Sequence, residues 1–276
     1  MSGDPTSDRD KPHLEVVAPS AQERVAQEGQ EGQPNSHEDG STTVPMISVV
    51  IPVYNEEGIV SSSVISLREN LRALGWSFEI LLAENGSADR TVALCRELSQ
   101  RYAEVSFFSV PEPNYGRALK EGILRARGTF VVCDEIDLGD IDFYRRAMAR
   151  LVDDDADMVV GSKALPGAED TRPAIRHVAT VAYNTMLRVL LHFHGTDTHG
   201  MKAFRREMLV GTAGRCLVDK DVFASEFVIR AERERHLVVE IPVRVVEKRK
   251  PSINLFRRVP NVLRNLGYLT YVMRRR

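Results

Sequence analysis

Residues 45–254 are predicted to form an α/β domain, a mainly parallel twisted sheet with helices on both faces, and three observations predict it. Strand-like and helix-like stretches alternate three times between residues 46 and 134, the signature of βαβ units. The first strand, residues 46–53 (MISVVIPV), is almost continuously apolar and β-branched, as a strand covered on both faces must be. Each of these strands runs out into a polar or acidic loop.

The elements follow in order. After the first strand and the polar loop 54–58, residues 59–74 place Val60, Val64, Leu67, Leu71 and Leu74 at helical spacing, with Gly75 as the stop. Residues 78–83 read as a strand. Residues 87–102 read as a helix with Ser87 as its N-cap. Residues 105–110, 115–127 and 129–134 repeat strand, helix and strand. Ligands of such sheets sit beyond the carboxyl ends of the strands, which makes loops 54–58, 84–87 and 135–140 the candidate site. The second half is less regular. It offers a strand at 158–161, a long apolar helix at 173–193 opened by Pro173, helices at 204–210 and 222–231, and a strand at 237–246. A last helix, 260–273, puts Val262, Leu263, Leu266, Leu269 and Met273 on one stripe.

Charge is distributed unevenly along the 276 residues, although the formal net charge is only −2. Residues 1–44 hold nine carboxylates against three cations. With so little apolar surface to offset chain entropy, they are expected to form a disordered acidic tail. Residues 244–276 hold ten cations against Glu247 alone, so that end is expected to face something negative. No apolar run approaches the roughly 18 residues a membrane span needs, and the first 40 residues lack a signal-peptide core. The protein is therefore expected to be cytoplasmic, with no nucleic-acid partner. Cys95, Cys133 and Cys216 are odd in number and lack metal-ligand spacing, and are expected to be buried thiols. Collagen, coiled-coil and wholly disordered classes are excluded.

The chemistry is carried by short motifs in a fixed order. They are Ile51-Pro52-Val53-Tyr54-Asn55-Glu56-Glu57, Ala83-Glu84-Asn85-Gly86-Ser87-Ala88-Asp89-Arg90-Thr91, Asn114-Tyr115-Gly116-Arg117-Ala118-Leu119 and Glu135-Ile136-Asp137-Leu138. Together they resemble family 2 glycosyltransferases, which have the GT-A, Rossmann-like fold. Further on, Gly161-Ser162-Lys163, Arg176 with Thr180, the run from Asp197 to Arg206, and Glu240-Ile241-Pro242-Val243 resemble the polyprenyl (dolichyl) phosphate mannose synthase branch. The likeness covers about residues 46–255.

What the resemblance implies is specific. A nucleotide diphosphate sugar, GDP-mannose in that branch, would be bound by Pro52, Tyr54, Asn55, Glu56, Glu84, Asn85, Gly86 and Arg117. Here Glu84-Asn85 stands where the family has Asp-Asp. Glu135 and Asp137 align with the family's Asp-X-Asp, and hard oxygen ligands of this kind suit Mg²⁺ or Mn²⁺. Asp134 and Asp140 are spare carboxylates beside them. Lys163, Arg176, Thr180 and Lys202 would bind the acceptor phosphate, with Lys163 and Lys202 in place of the branch's arginines. Lys248, Arg249 and Ser252 would close over the diphosphate.

The acceptor decides whether a base is needed. A hydroxyl acceptor requires one, and Glu226 or Asp221 is then the candidate, whereas a phosphate acceptor is already an anion. His199, where the family has Ser, is read as a base, a metal ligand, a diphosphate donor or a structural residue. Asp137, Glu226 and His199 are thus the catalytic candidates. Transfer to polyprenyl phosphate is the leading expectation. A soluble hydroxyl acceptor, as in natural-product or cell-wall assembly, and an inert nucleotide-sugar-binding module are the alternatives. For residues 255–276, two readings stand side by side: a basic amphipathic helix on an anionic membrane surface, or a helix packed on the core with solvated arginines.

Overall fold

Seven strands form the main sheet of the computed structural model, which describes residues 44–171, 173–245 and 255–274. The strands are β1 (Ile47–Val53), β2 (Phe78–Glu84), β3 (Val105–Ser109), β4 (Phe130–Cys133), β5 (Met158–Ser162), β7 (Lys202–Arg205) and β8 (Val238–Pro242), and their order across the sheet is β3-β2-β1-β4-β7-β5-β8. All neighbours are parallel except β7, which runs antiparallel to β4 and β5. A small parallel pair, β6 (Glu169–Asp170) with β9 (Arg244–Val245), stands apart. The tail 1–43 and the loop 246–254, with Lys248, Arg249 and Ser252, lie outside the described residues.

Every residue of β1 and of β2 is buried, the consequence of helices on both faces. Side chains alternate along β1, so Val49 and Ile51 point to one layer and Val50 to the other. The first layer is made by α1 (Val60–Ala73), α2 (Thr91–Arg101) and α4 (Ile141–Val152). These contribute Val64, Leu71, Cys95, Phe143, Tyr144 and Leu151. The second is made by α3 (Tyr115–Arg125), α5 (Ala174–Leu191), α6 (Arg206–Arg215), α7 (Phe223–Arg233) and α8 (Leu255–Arg274), which supply Leu119, Leu187, Leu209, Phe223, Phe227 and Leu269. Each aromatic ring sealed here contributes about 2–3 kcal/mol. Phe204 and Phe227 meet edge to face at 5.2 Å. The three cysteines are buried thiols, as the sequence predicts.

At the amino end of the sheet a buried carboxylate ties β1 and β2 to the segment that leads into β4. Glu79 accepts from the Ser48 hydroxyl at 2.5 Å, from the Arg127 amide at 2.7 Å and from Arg127 Nε at 2.8 Å. The Gly128 amide donates to Ser48 Oγ at 2.7 Å. A side chain at Gly128 would meet the backbone of Ile47 and Ser48, which is why glycine stands there.

Several expectations are corrected. Ser87 does not cap a helix: α2 starts at Thr91, where Asp89 accepts from the Thr91 amide at 2.9 Å. Residues 202–205, read partly as helix, form β7. The strand expected over 237–246 breaks at Val243, where β8 leaves off and β9 turns away to pair with β6. The apolar stripe of the last helix is largely used inside the protein, since its Leu266, Leu269 and Met273 pack into the second layer beside Val272. Leu263 of that stripe is exposed.

Candidate active site

The chain leaves β1 by α1 on one face and returns to β4 from α3 on the other. A crevice opens where crossovers diverge in this way, beyond the carboxyl ends of β1 and β4. The loops after β1 and β2 line its first side. Asn55 sits in the left-handed region at φ 54°, which Asn tolerates better than most residues. Its amide donates to Ser87 Oγ at 3.0 Å, and its side-chain oxygen accepts from the Ala88 amide at 2.9 Å. The Glu56 amide donates to Thr91 Oγ1 at 2.8 Å, and Glu57 exchanges bonds with Asp89 and the Arg90 amide. The two loops are thereby laced into one rigid cradle.

Glu84 and Asn85 are both buried. Glu84 accepts from the Ser87 amide at 2.5 Å, and Asn85 Oδ1 from the Asn114 amide at 2.5 Å. Gly86, at φ +70°, packs where a side chain would press on the backbone of Pro113. These residues shape the cradle from behind, and Pro52 is buried within β1. Tyr54 and Arg117 are exposed and Glu56 is half-buried, so these three present side chains at the surface. Asn114 joins the cradle to the far side of the crevice. It caps α3 by accepting from the Arg117 amide at 3.0 Å, accepts from the Lys220 amide at 2.7 Å and donates to Asp219 at 3.0 Å. A side chain on Gly116 would collide with the Lys220 carbonyl.

The acidic loop after β4 forms the next wall. Ile136 turns inward, while Glu135 is exposed and Asp137 half-buried. The spare carboxylates are otherwise engaged. Asp134 is buried, accepting from Tyr144 OH at 2.8 Å and the Glu135 amide at 2.7 Å, and burial pushes its carboxyl up to about 7 against the pull of the Tyr144 bond. Asp140 is the N-cap of α4, accepting from the amides of Asp142 and Phe143. Glu135 and Asp137 stand on the same loop and line the cavity beside it. Beside this loop a cavity of about 220 Å³ is lined also by Ser62, Ser66 and Asn70 of α1. Among the described residues, no cluster of three or more His, Cys, Asp or Glu forms a metal cage.

Antiparallel β7 delivers the cations. Lys202 lies opposite Cys133 at the carboxyl end of β4 and is buried. Its ammonium donates to the Gly200 carbonyl at 2.8 Å, and burial lowers its pKa to about 8. Lys163, just past β5, forms an ion pair of 2.8 Å with Asp197, whose side chain is 1% exposed. Burial opposes the Asp197 charge, but Lys163 together with His199 outweighs it and holds the carboxyl below its ordinary value. Lys163 is therefore already neutralised by a protein carboxylate, a partner the sequence motifs leave unassigned. Glu240 fixes the same loop by accepting from the amides of Thr196 at 2.6 Å and Asp197 at 3.0 Å.

His199 is exposed, its ring edge-on to Tyr183 at 5.1 Å and its Nδ1 3.2 Å from Thr198 Oγ1. Thr198 Oγ1 continues to Ser225 Oγ at 2.8 Å, and Ser225 to Tyr183 OH at 2.9 Å. Arg176 and Thr180 stand on the α5 that also carries Tyr183, and the Thr180 hydroxyl donates to the Arg176 carbonyl at 2.9 Å. Glu226 is fully buried. It accepts from the amides of Leu217 and Val218 at 2.9 and 2.6 Å and from Arg230 Nε at 2.7 Å. The base expected at Glu226 is thus a structural clamp, because its lone pairs are spent on the 217–218 turn and on Arg230.

Comparisons with known proteins agree with this architecture. A family model described as glycosyl transferase family 2 matches residues 48–211. Glycosyltransferase AglD of Haloferax volcanii is 28% identical over 82% of this chain, which spans 37% of that protein. The dolichyl-phosphate hexose transferase of Haloferax volcanii is 27% identical over 71% of this chain and 81% of its own length. Among solved structures, glucosyl-3-phosphoglycerate synthase from Mycobacterium tuberculosis with uridine diphosphate superposes with a TM-score of 0.58 at 19% identity. That match covers 87% of this chain and 86% of the other. The same protein with Mn²⁺, uridine diphosphate and glucosyl-3-phosphoglycerate gives 0.57 at 20% identity, over 83% and 80%. At these identities the structural likeness establishes the GT-A fold.

Proposed function

Because this chain belongs to glycosyl transferase family 2, we propose that it moves a hexosyl group from a nucleotide diphosphate sugar to the phosphate of a polyprenyl lipid. One observation carries the choice of acceptor. Glu226, one of the two carboxylates read as a base, is sealed and saturated, the side chain of the other, Asp221, lies outside the described residues, and Lys202 is delivered to the end of β4, two residues before Glu135. A phosphate acceptor asks for cations and needs no base. The dolichyl-phosphate hexose transferase among the relatives supports the same acceptor. The motif resemblance favours GDP-mannose as donor, whereas the neighbours solved with uridine diphosphate favour a UDP-hexose.

In this reading the acceptor oxygen attacks the anomeric carbon from the face opposite the diphosphate, the bond to the diphosphate breaks, and configuration inverts. Tyr54, Glu56 and Arg117 meet the base and ribose on the cradle held by Pro52, Asn55, Glu84, Asn85 and Gly86. Glu135 and Asp137 are hard oxygen donors on the loop that walls the crevice and fit Mg²⁺ or Mn²⁺, whose positive charge would offset that of the departing diphosphate. Lys202 and Arg176 orient the acceptor phosphate, helped by Lys163 where the ammonium reaches past Asp197, and Thr180 keeps the Arg176 turn in place. His199 is assigned a donor role toward phosphate oxygens. Lys248, Arg249 and Ser252 are assigned to the diphosphate. A lipid-linked acceptor places the enzyme peripherally on an anionic membrane surface. Among the described residues, no helix is long and apolar enough to cross a membrane.

The test is an assay of the purified chain with Mn²⁺, a short-chain polyprenyl phosphate and either GDP-mannose or UDP-glucose. Nucleoside diphosphate release with one donor is expected, and Asp137→Ala should lower it at least about a hundredfold. Turnover with hydroxyl acceptors alone would overturn the proposed acceptor.

A further inference from the structure

Helices α5 and α8 pack on one another at the back of the second layer. One property sets them apart from α1–α4, α6 and α7. Neither contains an aspartate or glutamate: α5 reads AIRHVATVAYNTMLRVLL and α8 reads LFRRVPNVLRNLGYLTYVMR. Between them they carry six arginines: 176, 188, 257, 258, 264 and 274. Both also leave apolar side chains in water. On α5, Val178 is 67% and Val189 70% exposed, with Ile175 and Val181 beside them on the helix. On α8, Leu263, Tyr268 and Tyr271 are each about half exposed.

The carboxyl ends of the two helices are locked together. Arg233 donates to the Met273 carbonyl at 2.7 Å and to the Leu191 carbonyl at 3.0 Å, a fork across both helix ends. Leu266, Leu269, Val272 and Met273 fasten α8 from beneath. The exposed apolar residues are therefore carried on a fixed platform.

From this juxtaposition we infer that the outer surface of α5 and α8 is the membrane-docking face, with anionic phospholipid as its partner. The inference rests on the lipid acceptor proposed above and specifies how the site reaches it. Isolated exposed valines are ordinary, but exposed apolar side chains on both members of an acid-free, arginine-bearing pair of helices are a lipid-facing pattern. The apolar residues enter the interface while Arg188, Arg264 and Arg274 reach headgroup phosphates, their stems lying along the apolar surface. Tyrosines suit the same boundary, apolar in the ring and polar at the tip. The face differs from the stripe read in the sequence, whose Leu266, Leu269 and Met273 are committed to the core. Arg176 and Thr180 stand on α5 itself, so docking by this helix brings the acceptor residues to the surface from which a lipid phosphate would be presented.

Flotation of the full chain with vesicles tests the inference without substrates. The wild-type chain should float with phosphatidylcholine vesicles containing phosphatidylglycerol, float poorly with phosphatidylcholine alone, and be released by high salt. The double variant Val178→Asp, Val189→Asp changes two water-exposed positions. It should keep its thermal midpoint and bind at least about tenfold more weakly. Arg264→Ser, on the other helix, should weaken binding about fivefold. Three results would overturn the inference: a wild-type chain that stays unbound with anionic vesicles, a double variant that floats as well as wild type, or a wild-type dimer in sedimentation that the double variant separates. Transfer to a short-chain acceptor in vesicle-free buffer, run in parallel, should be equal in wild type and double variant. A chain that floats but transfers nothing would sink the proposed reaction and leave the docking face standing.

Discussion

Glu226 and Lys202 show how far a side chain's role depends on its surroundings. Glu226→Ala would strand a buried Arg230 and two amides, and should cost about 3–5 kcal/mol in chemical denaturation. The activity per folded molecule should remain, whereas a general base would lose it. Lys202 makes the opposite prediction. Its pKa of about 8 means the ammonium is lost as pH rises through that value. If it orients the acceptor phosphate, kcat/KM, which reports the free enzyme, should fall above about pH 8. Lys202→Arg stays charged and should remove that alkaline limb. The motifs in the sequence name both residues and the acidic pair Glu135 and Asp137. They do not reveal that Asp197 neutralises Lys163 from 34 positions away, or that Asp134 and Asp140 serve Tyr144 and the cap of α4. Pairings of this kind are set by the sheet, and no local pattern encodes them.

Among the elements, the parallel half of the sheet was legible because β1 and β2 are buried on both faces and their helices carry regular apolar spacing. Strand β7 was hidden. Its four residues, Lys202–Arg205, owe their state to hydrogen bonding with β4 and β5 on either side, and in isolation Phe204 and Arg205 read as the start of the helix that follows. The two-residue strand β6 was missed for the same reason, and β9 was read as a continuation of β8. The turn before β7 is tight. Gly200 lies against the Gly161 carbonyl with no room for a side chain. Because Gly161 belongs to β5, the 197–201 loop must give way in Gly200→Ala. Stability should drop by about 1–3 kcal/mol, with a larger loss in transfer than the stability change explains, measured by thermal melts alongside initial rates.

Across the whole molecule, the first layer is clamped to the edge of the sheet by Glu104, which accepts from Arg72 at 2.5 Å and Arg68 at 3.2 Å. Partial burial works against this charge, but the two guanidiniums hold the carboxyl down at about 2. Its contribution is fully present above the unfolded value of roughly 4.3 and is lost as pH falls toward 2. Glu104→Gln should therefore lower stability by about 1–2 kcal/mol at pH 7 after allowance for solvent screening, with the gap to wild type closing in acid.

The anchoring carboxylate Glu79 and the crevice occupy opposite ends of the same strands. The rest of β1, roughly 20 Å of extended chain, separates the knot around Ser48 from the loop at Tyr54. Donor and acceptor preference can thus be rewritten in loops whose failure leaves the foundation intact. A library randomising the crevice loops would be expected to yield mostly soluble proteins with altered choice of sugar, while equal diversity around Glu79 would yield mostly aggregates.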